Sequence, residues 1–197
     1  MAASGGELGA VRLAVLTVSD GVAAGRREDR AGDLVAAAAR DLGWHVVARA
    51  VVADEADAVR AWVEAHAKGL EAADLVLTLG GTGLGPRDVT PEATAPLLER
   101  SVPGLAEALR QEGARHTLAA YLSRGVAGMR GRTLIVNVPG SAGAARDAMA
   151  LLGRLVPHAL HVGGGGGHEH EEGRVAERPP GAGAFHADEG EDRHGHG

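Results

Sequence analysis

A glycine-rich stretch that follows a short apolar run constrains the fold more than any other feature of this sequence. Residues 75–79 (LVLTL) are apolar or β-favouring, with the length of a strand buried on both faces. Four glycines then fall within residues 80–85, where the backbone can adopt left-handed dihedrals and approach a ligand closely. Thr90, Pro91 and Glu92 predict a helix start with Thr90 as its N-cap. A strand, a glycine turn and a helix N-terminus in succession are typical of a phosphate-binding site.

Predicted strands and helices alternate along residues 10–162. The apolar patterns predict strands at 11–18, 44–52, 75–79, 126–129 and 133–138, and helices at 29–42, 55–67, 91–100, 103–114 and 141–155. A loop is expected at 19–27, and a break or kink of the last helix near Pro157. Because strands alternate with helices, we predict a three-layer α/β/α domain with a mostly parallel sheet. The length of 197 residues fits one such domain.

The negative charge of the chain lies at its C-terminal end. The segment 163–197 holds eight acidic residues and three arginines, so it contributes −5 to the net charge of −6. The near-neutral remainder argues against nucleic-acid binding. Composition predicts a disordered tail at 163–197 and a frayed end at 1–9. Five of the ten histidines lie in the tail: His168, His170, His186, His194 and His196. Their spacing would allow Ni, Zn or Cu to bind. The alternative is a solvated tail without a specific ligand.

Residue types that are rare in this chain exclude several kinds of site. The sequence has no cysteine, which excludes disulfides, thiolate nucleophiles and cysteine-ligated metals and fits a reducing cytoplasm. It has no apolar run of about 18 residues and no basic-then-apolar leader, so we expect a soluble cytoplasmic protein without a membrane partner. Lys68 is the only lysine. The positively charged side chains of a binding site must therefore be arginines, and the lysine-containing P-loop motif is excluded.

Four polar or glycine-rich clusters follow predicted strands. They are Ser19-Asp20, Asp54, residues 80–88 and residues 139–141. Ligands of open parallel sheets bind beyond the carboxyl ends of the strands. We therefore expect the four clusters to form one site.

Three motifs in this order resemble the Mog/MoaB-type family of molybdenum cofactor biosynthesis, the molybdopterin adenylyltransferases and their close relatives. The motifs are TVSDG at 17–21, GGTG followed by RDVTPE within 80–92, and NVPGS at 137–141. The resemblance covers about residues 10–160. It implies a three-layer α/β fold, a homotrimer, and binding of a pterin dithiolene phosphate. In the enzymatic members it implies AMP transfer from Mg-ATP to that phosphate, with later enzymes of molybdenum insertion as partners. The chain departs from the family at Ala142, where another proline is frequent.

Asp54 and Asp88 are the predicted catalytic residues. The resemblance implies one important aspartate after the second strand and another that closes the glycine loop, and both positions are filled. A phosphate monoester has a second pKa of about 6 and is mostly ionised at neutral pH, so this nucleophile needs no general base. We therefore interpret both aspartates as Mg²⁺ ligands, direct or through water, rather than as bases.

Eleven further residues are predicted to bind the substrates: Ser19, Asp20, Gly80, Gly81, Thr82, Gly83, Arg87, Ser123, Pro139, Gly140 and Ser141. The residues at 80–83 would offer backbone N–H groups to a phosphate, or form a tight turn alone. Arg87 would pair with phosphate or form a local ion pair with the aspartate beside it. Ser19 and Asp20 would line the pterin side or cap the next segment. Ser141 is predicted to be a helix N-cap that also faces a ligand.

These features together predict a molybdopterin adenylyltransferase that uses Mg²⁺ and takes ATP as co-substrate. Its products would be adenylylated molybdopterin and pyrophosphate. One alternative is a non-catalytic pterin-binding or scaffold member of the same family. Another is a nucleotide pyrophosphatase built on a related domain, which would hydrolyse a dinucleotide without any pterin. A metal-buffering role for the histidine-rich tail is a third.

Overall fold

Six strands form one mixed sheet in residues 10–163, the part of the chain that the computed structural model describes. The strands are β1 (Arg12–Val18), β2 (His45–Val52), β3 (Leu75–Leu79), β4 (Arg100–Ser101), β5 (Ala127–Arg130) and β6 (Thr133–Val138). Their order across the sheet is β2-β1-β3-β6-β5-β4. The first four strands in that order are parallel, whereas β5 runs antiparallel to β6 and β4 antiparallel to β5. The prediction of a mostly parallel sheet is confirmed.

Helices cover both faces of the sheet. The α-helices of the described part are α1 (Asp20–Ala23), α2 (Arg30–Asp41), α3 (Ala56–His66), α4 (Thr90–Thr94), α5 (Pro103–Ala114) and α6 (Ala142–Gly163). One core cluster joins the sheet to α2, α5 and α6, and a second joins its other face to α3 and α4. The predicted three-layer α/β/α architecture is therefore confirmed.

The alternation of side chains along β1 shows how one strand serves both layers. Leu13 and Val15 belong to the cluster beneath α2 and α6, whereas Ala14 and Leu16 belong to the cluster beneath α3. Successive side chains of a strand point to opposite faces, so a strand covered on both sides must be apolar throughout. This requirement accounts for the continuous apolar runs in the sequence.

The register of the parallel strands brings their loops to one edge. Thr17 of β1 is paired with Leu79 of β3, and Leu79 is paired with Val138 of β6. The chain therefore leaves all three strands at the same level of the sheet. The predicted gathering of the clusters after these strands follows from this register.

The predicted helix at 91–100 is wrong in its length. Helix α4 ends at Thr94, a 3₁₀ turn follows at Ala95–Leu97, and β4 begins at Arg100. Pro96 has no N–H to donate to the carbonyl of Glu92, which disfavours a second α-helical turn in this short helix, although the longer helix α6 accommodates Pro157. Thr90 is also not the N-cap, because the helix starts at Thr90 itself.

Two further boundaries differ from the predictions. The segment expected to be a loop at 19–27 contains the short helix α1, because the Ser19 hydroxyl accepts a hydrogen bond from the N–H of Val22 and caps it. The last helix, α6, contains Pro157 and continues to Gly163. The predicted end at Leu155 is therefore wrong.

The predictions for residues 1–9 and for the histidine-rich tail from residue 164 onward lie outside the described residues. Within residues 10–163, none of the helices has the length and apolar character needed to cross a membrane.

Candidate active site

Two clefts meet at the glycine loop, which we define as residues 80–88. The first cleft, of about 850 Å³, lies against residues 26–31 and the ends of β1 and β3. The second, of about 650 Å³, lies between the 3₁₀ turn at Leu118–Leu122 and the start of α6. The residues that line both clefts are Gly81, Asp88, Gly140 and Ser141. Ligands bound in the two clefts would therefore meet at the glycine loop.

The first two residues of the glycine loop have a backbone that only glycine adopts readily. Gly80 has φ of +107° and Gly81 has φ of +63°. A Cβ on Gly80 would lie 2.3 Å from the carbonyl oxygen of Val18, and one on Gly81 would lie 2.3 Å from Oγ1 of Thr90. A side chain at either position would strain the backbone and collide with its neighbour.

Thr90 holds the carbonyl groups of the start of the loop. Its buried hydroxyl donates to the carbonyl oxygen of Gly80 at 2.8 Å, and its N–H donates to that of Gly81 at 3.0 Å. The N–H of Gly80 itself donates to the carbonyl oxygen of Val138 at 2.9 Å. Gly80 is thus tied into the sheet, and its N–H is already engaged.

Arg124 holds the carbonyl groups of the rest of the loop. Its backbone N–H donates to the carbonyl oxygen of Thr82 at 2.8 Å, and its Nε to that of Gly83 at 2.7 Å. Its Nη2 donates to the carbonyl oxygen of Asp88 at 2.6 Å, and its Nη1 pairs with the carboxylate of Glu92. The pairing holds the pKa of Glu92 below its ordinary value.

The N–H groups of the loop face away from these anchors. In a trans peptide the N–H points opposite to the carbonyl of the preceding residue. The carbonyls of residues 80, 81 and 82 are all bonded to the protein, so the N–H groups of Gly81, Thr82 and Gly83 are directed the other way. Among the hydrogen bonds formed within residues 10–163, none is donated by these three groups. We refer to these three N–H groups as the backbone cradle, and unbonded donors of this kind are suited to an anion.

Two carboxylates flank this cradle. The N–H of Asp20 donates to Oδ2 of Asp54 at 2.7 Å, and the N–H of Asp54 donates to Oδ1 of Asp20 at 3.1 Å. Oδ2 of Asp88 accepts from the N–H of Gly85 at 2.8 Å. In the described part of the chain, Oδ1 of Asp54 and Oδ1 of Asp88 accept no hydrogen bond. Each aspartate is oriented through one oxygen and has a second oxygen available.

Asp54 and Asp88 fit the role of Mg²⁺ ligands. Both line the first cleft, and each has an available carboxylate oxygen. Within residues 10–163, no three His, Cys, Asp or Glu residues are arranged to hold a metal by themselves. Mg²⁺ usually keeps several waters and binds one or two carboxylates together with substrate phosphates. The donor set therefore suits a metal that arrives with a nucleotide.

Arg87 is engaged with carboxylates. Its Nε and Nη2 donate to the two carboxylate oxygens of Asp20 at 3.1 and 2.9 Å, and Nη2 also donates to Glu55 at 3.0 Å. These bonds lower the pKa of Asp20 and raise that of Arg87. Of the two predicted roles for Arg87, the structure shows an ion pair, but with Asp20 and Glu55 rather than with the adjacent Asp88. The predicted site residues other than Asp20 and Arg87 line one of the two clefts or both.

Three predicted serines have local bonding partners as well as a place in a cleft. Ser19 and Ser141 cap α1 and α6, each accepting a hydrogen bond from the N–H three residues further on. The Ser123 hydroxyl donates to Oγ1 of Thr82 at 3.3 Å. Capping and ligand contact are compatible at these positions, because each serine lines a cleft.

Sequence reasoning missed several arginines. Arg26, Arg27 and Arg30 line the first cleft beside the carboxylates of Glu28, Asp29, Asp54 and Asp88. The signal was present, since a cluster of arginines follows the first strand in a chain with one lysine. Arg124, the residue after the predicted Ser123, was missed as well. Its partners in the glycine loop lie 36 to 42 residues away, so no local pattern could reveal them.

Comparison with known proteins points to one family. The family model described as "Probable molybdopterin binding domain" matches residues 14–158. The molybdenum cofactor biosynthesis bifunctional protein of Synechococcus elongatus is 40% identical over 163 residues, which are 83% of this chain and 50% of that protein. This chain therefore spans about half the length of that relative. Molybdenum cofactor biosynthesis protein B of Bacillus subtilis is 38% identical over 77% of this chain and 88% of its own length.

A solved structure agrees with the sequence comparisons. The crystal structure of the molybdopterin biosynthesis enzyme MoaB from Thermus thermophilus superposes with a TM-score of 0.73 at 46% identity. The match covers 79% of this chain and 97% of that one. The family model, the full-length bacterial relative and this structure all span the α/β domain that holds the two clefts. The chain belongs to the Mog/MoaB-type family of molybdenum cofactor biosynthesis proteins.

Proposed function

We propose that this chain acts in molybdenum cofactor biosynthesis by transferring the adenylyl group of Mg-ATP to the terminal phosphate of molybdopterin. The observation that carries the proposal is that two clefts meet at Gly81, Asp88, Gly140 and Ser141, beside the backbone cradle. Adenylyl transfer needs two ligands, each with a phosphate, whose phosphates meet. A protein that only bound a pterin would need one cleft.

The chemistry of the two clefts suggests which substrate each accepts. Arg26, Arg27 and Arg30 bring guanidinium groups to the first cleft, and such groups pair well with the phosphates of a triphosphate. The second cleft has alanine and leucine side chains from the turn at 118–122, a lining that suits a flat heterocyclic ring. We therefore assign ATP to the first cleft and the pterin to the second.

The reaction requires two anions to be held together more than it requires a base. An oxygen of the pterin phosphate attacks the α-phosphorus of ATP, and the bond from that phosphorus to the bridging oxygen of the β-phosphate breaks. The electron pair leaves with pyrophosphate, and the product is adenylylated molybdopterin. The attacking phosphate has a second pKa of about 6, so it needs no proton acceptor.

The residues of the chain contribute positioning and electrostatic stabilisation. The N–H groups of residues 81–83 would hold the phosphates in a fixed orientation and reduce the repulsion between them. Asp54 and Asp88 would hold Mg²⁺ beside the first cleft. When bound, Mg²⁺ neutralises the negative charge that develops on the departing pyrophosphate.

Product formation with Asp88→Asn alongside the parent protein tests this proposal. The amide can still accept the hydrogen bond from Gly85, so the loop should keep its shape while the site loses one anion. We expect adenylyl transfer to fall by roughly 100-fold or more, with pterin binding retained. Pyrophosphate and the adenylylated pterin would be measured together. Asp57→Asn on α3, an exposed aspartate paired with Arg60, is the matched control and should remain active.

Other outcomes of that assay would select another function. Normal turnover by Asp88→Asn would contradict the role of this residue as a metal ligand. Pterin binding without pyrophosphate release from any nucleotide would indicate a non-catalytic pterin-binding or scaffold protein. Hydrolysis of a dinucleotide in the absence of pterin would indicate a nucleotide pyrophosphatase.

A further inference from the structure

Asp147, in the second turn of α6, is a partly buried carboxylate whose bonding the fold leaves incomplete. Its side chain is 20% exposed and lines the second cleft. Within residues 10–163 its carboxylate accepts no hydrogen bond, and its ion-pair contact is with Nε2 of His116 at 3.6 Å. That separation is longer than a hydrogen bond. With 20% of the side chain exposed, its oxygens can be solvated by water, which a ligand bound there would displace. A ligand in the second cleft would supply the donors.

Five small residues line the second cleft, together with the larger side chains of His116, Leu122 and Arg146. The small residues come from α5, the turn at 118–122 and α6: Gly113, Ala119, Ala120, Gly143 and Ala144. Side chains of this size leave room for a flat ring. A ring in this space would present one edge to Asp147.

The spacing along α6 links the carboxylate to the anion cradle. Ser141 lies at the cradle and Asp147 lies six residues further, so the two are separated by about 9 Å along the helix axis. Both line the second cleft. A ligand whose phosphate is held at the glycine loop would extend its ring towards Asp147.

We propose that Asp147 recognises the amino-pyrimidinone edge of a pterin, accepting hydrogen bonds from the 2-amino group and from N3–H. The inference rests on the proposed function, because it places the pterin in the second cleft. Two adjacent N–H donors match the two oxygens of one carboxylate, and such bidentate charge-assisted pairs are strong. A lumazine carries a carbonyl where the pterin has its amino group, so an acceptor would face the carboxylate. Asp147 thereby determines specificity for the amino-substituted ring.

Direct binding, without ATP, tests this role. The probes are the phosphate esters of 6-hydroxymethylpterin and 6-hydroxymethyllumazine, followed by their own fluorescence. The parent protein should bind the pterin ester at least about tenfold more tightly than the lumazine ester. Asp147→Asn should lose at least about tenfold in pterin affinity and lose the preference, because an amide presents one acceptor and one donor. Asp57→Asn should behave as the parent does.

Each remaining outcome is informative. Retained lumazine binding by Asp147→Asn would show that the variant is folded. If Asp147→Asn kept both the affinity for the pterin ester and the preference, the inference about Asp147 would be wrong and the proposed function would stand. If the parent protein bound neither ester, the placement of the pterin in the second cleft would be wrong, and the inference would fail with it.

Discussion

Substitution of Gly81 by alanine should destabilise the protein through two separable effects. The φ of +63° is left-handed, and an L-residue there costs roughly 1–2 kcal/mol. The new Cβ would lie 2.3 Å from Oγ1 of Thr90, which must then move away from the Gly80 carbonyl. Thr90 is fully buried, so an unmade bond there costs roughly 1–3 kcal/mol. We expect Gly81→Ala to lower the free energy of unfolding by about 2–5 kcal/mol, measured by urea denaturation.

Gly43→Ala separates the two effects. Gly43 has φ of +71°, and a Cβ there would meet no atom within 4 Å. This variant should lose only the conformational component, about 1–2 kcal/mol. Equal losses for the two variants would refute the reasoning, because the close approach of Gly81 to Thr90 would then have no energetic consequence.

Two further predictions concern residues that orient the site. Arg124→Lys should weaken binding of the pterin phosphate ester by about tenfold, because an ammonium cannot reproduce the guanidinium bonds to the carbonyls of Gly83 and Asp88. Calorimetric titration measures this affinity, and an unchanged value would contradict the anchoring role of Arg124. The pairing with Arg87 lowers the pKa of Asp20 from its ordinary value of 3.8. The ionised Asp20 therefore stabilises the folded state above pH 3.8, and this stabilisation is lost as the pH falls through the lowered pKa. Asp20→Asn should therefore reduce the dependence of the unfolding free energy on pH below about 4, measured by urea denaturation at pH 3 to 5. If this dependence were unaltered, the ion pair would contribute nothing to stability.

The fold was predictable where burial alone determined the pattern. The strands β1, β3 and β6 were predicted to within one residue, because a strand covered on both faces must be apolar throughout. The helix predicted at 91–100 failed where Pro96 breaks the ladder, although its neighbours are compatible with a helix. The homotrimer, the cytoplasmic location and ATP as co-substrate stay predictions.

The order and direction of the strands predict which segments form the site, but not which side chains pair within it. The carboxyl-end rule for parallel strands brought Asp54, the glycine loop and Ser141 together. The same rule placed Asp20 in one site with Arg87, which lies 67 residues later, but it could not show that the two are partners. Whether a cation faces a ligand or a neighbouring carboxylate depends on distances of a few ångströms that no sequence pattern encodes.

The anchoring of the carbonyl groups explains why the site has few chemically active side chains. A trans peptide fixes its N–H opposite its C=O, so residues that bind the carbonyls also aim the N–H groups. Thr90 and Arg124 do this from the protein side of the glycine loop, and the N–H groups of residues 81–83 point away from them without any flexible side chain. Donors that are already oriented need no reorganisation when a phosphate arrives. The proposed transfer of an already ionised nucleophile then needs few further groups, chiefly the two aspartates that would hold the metal and the arginines of the first cleft.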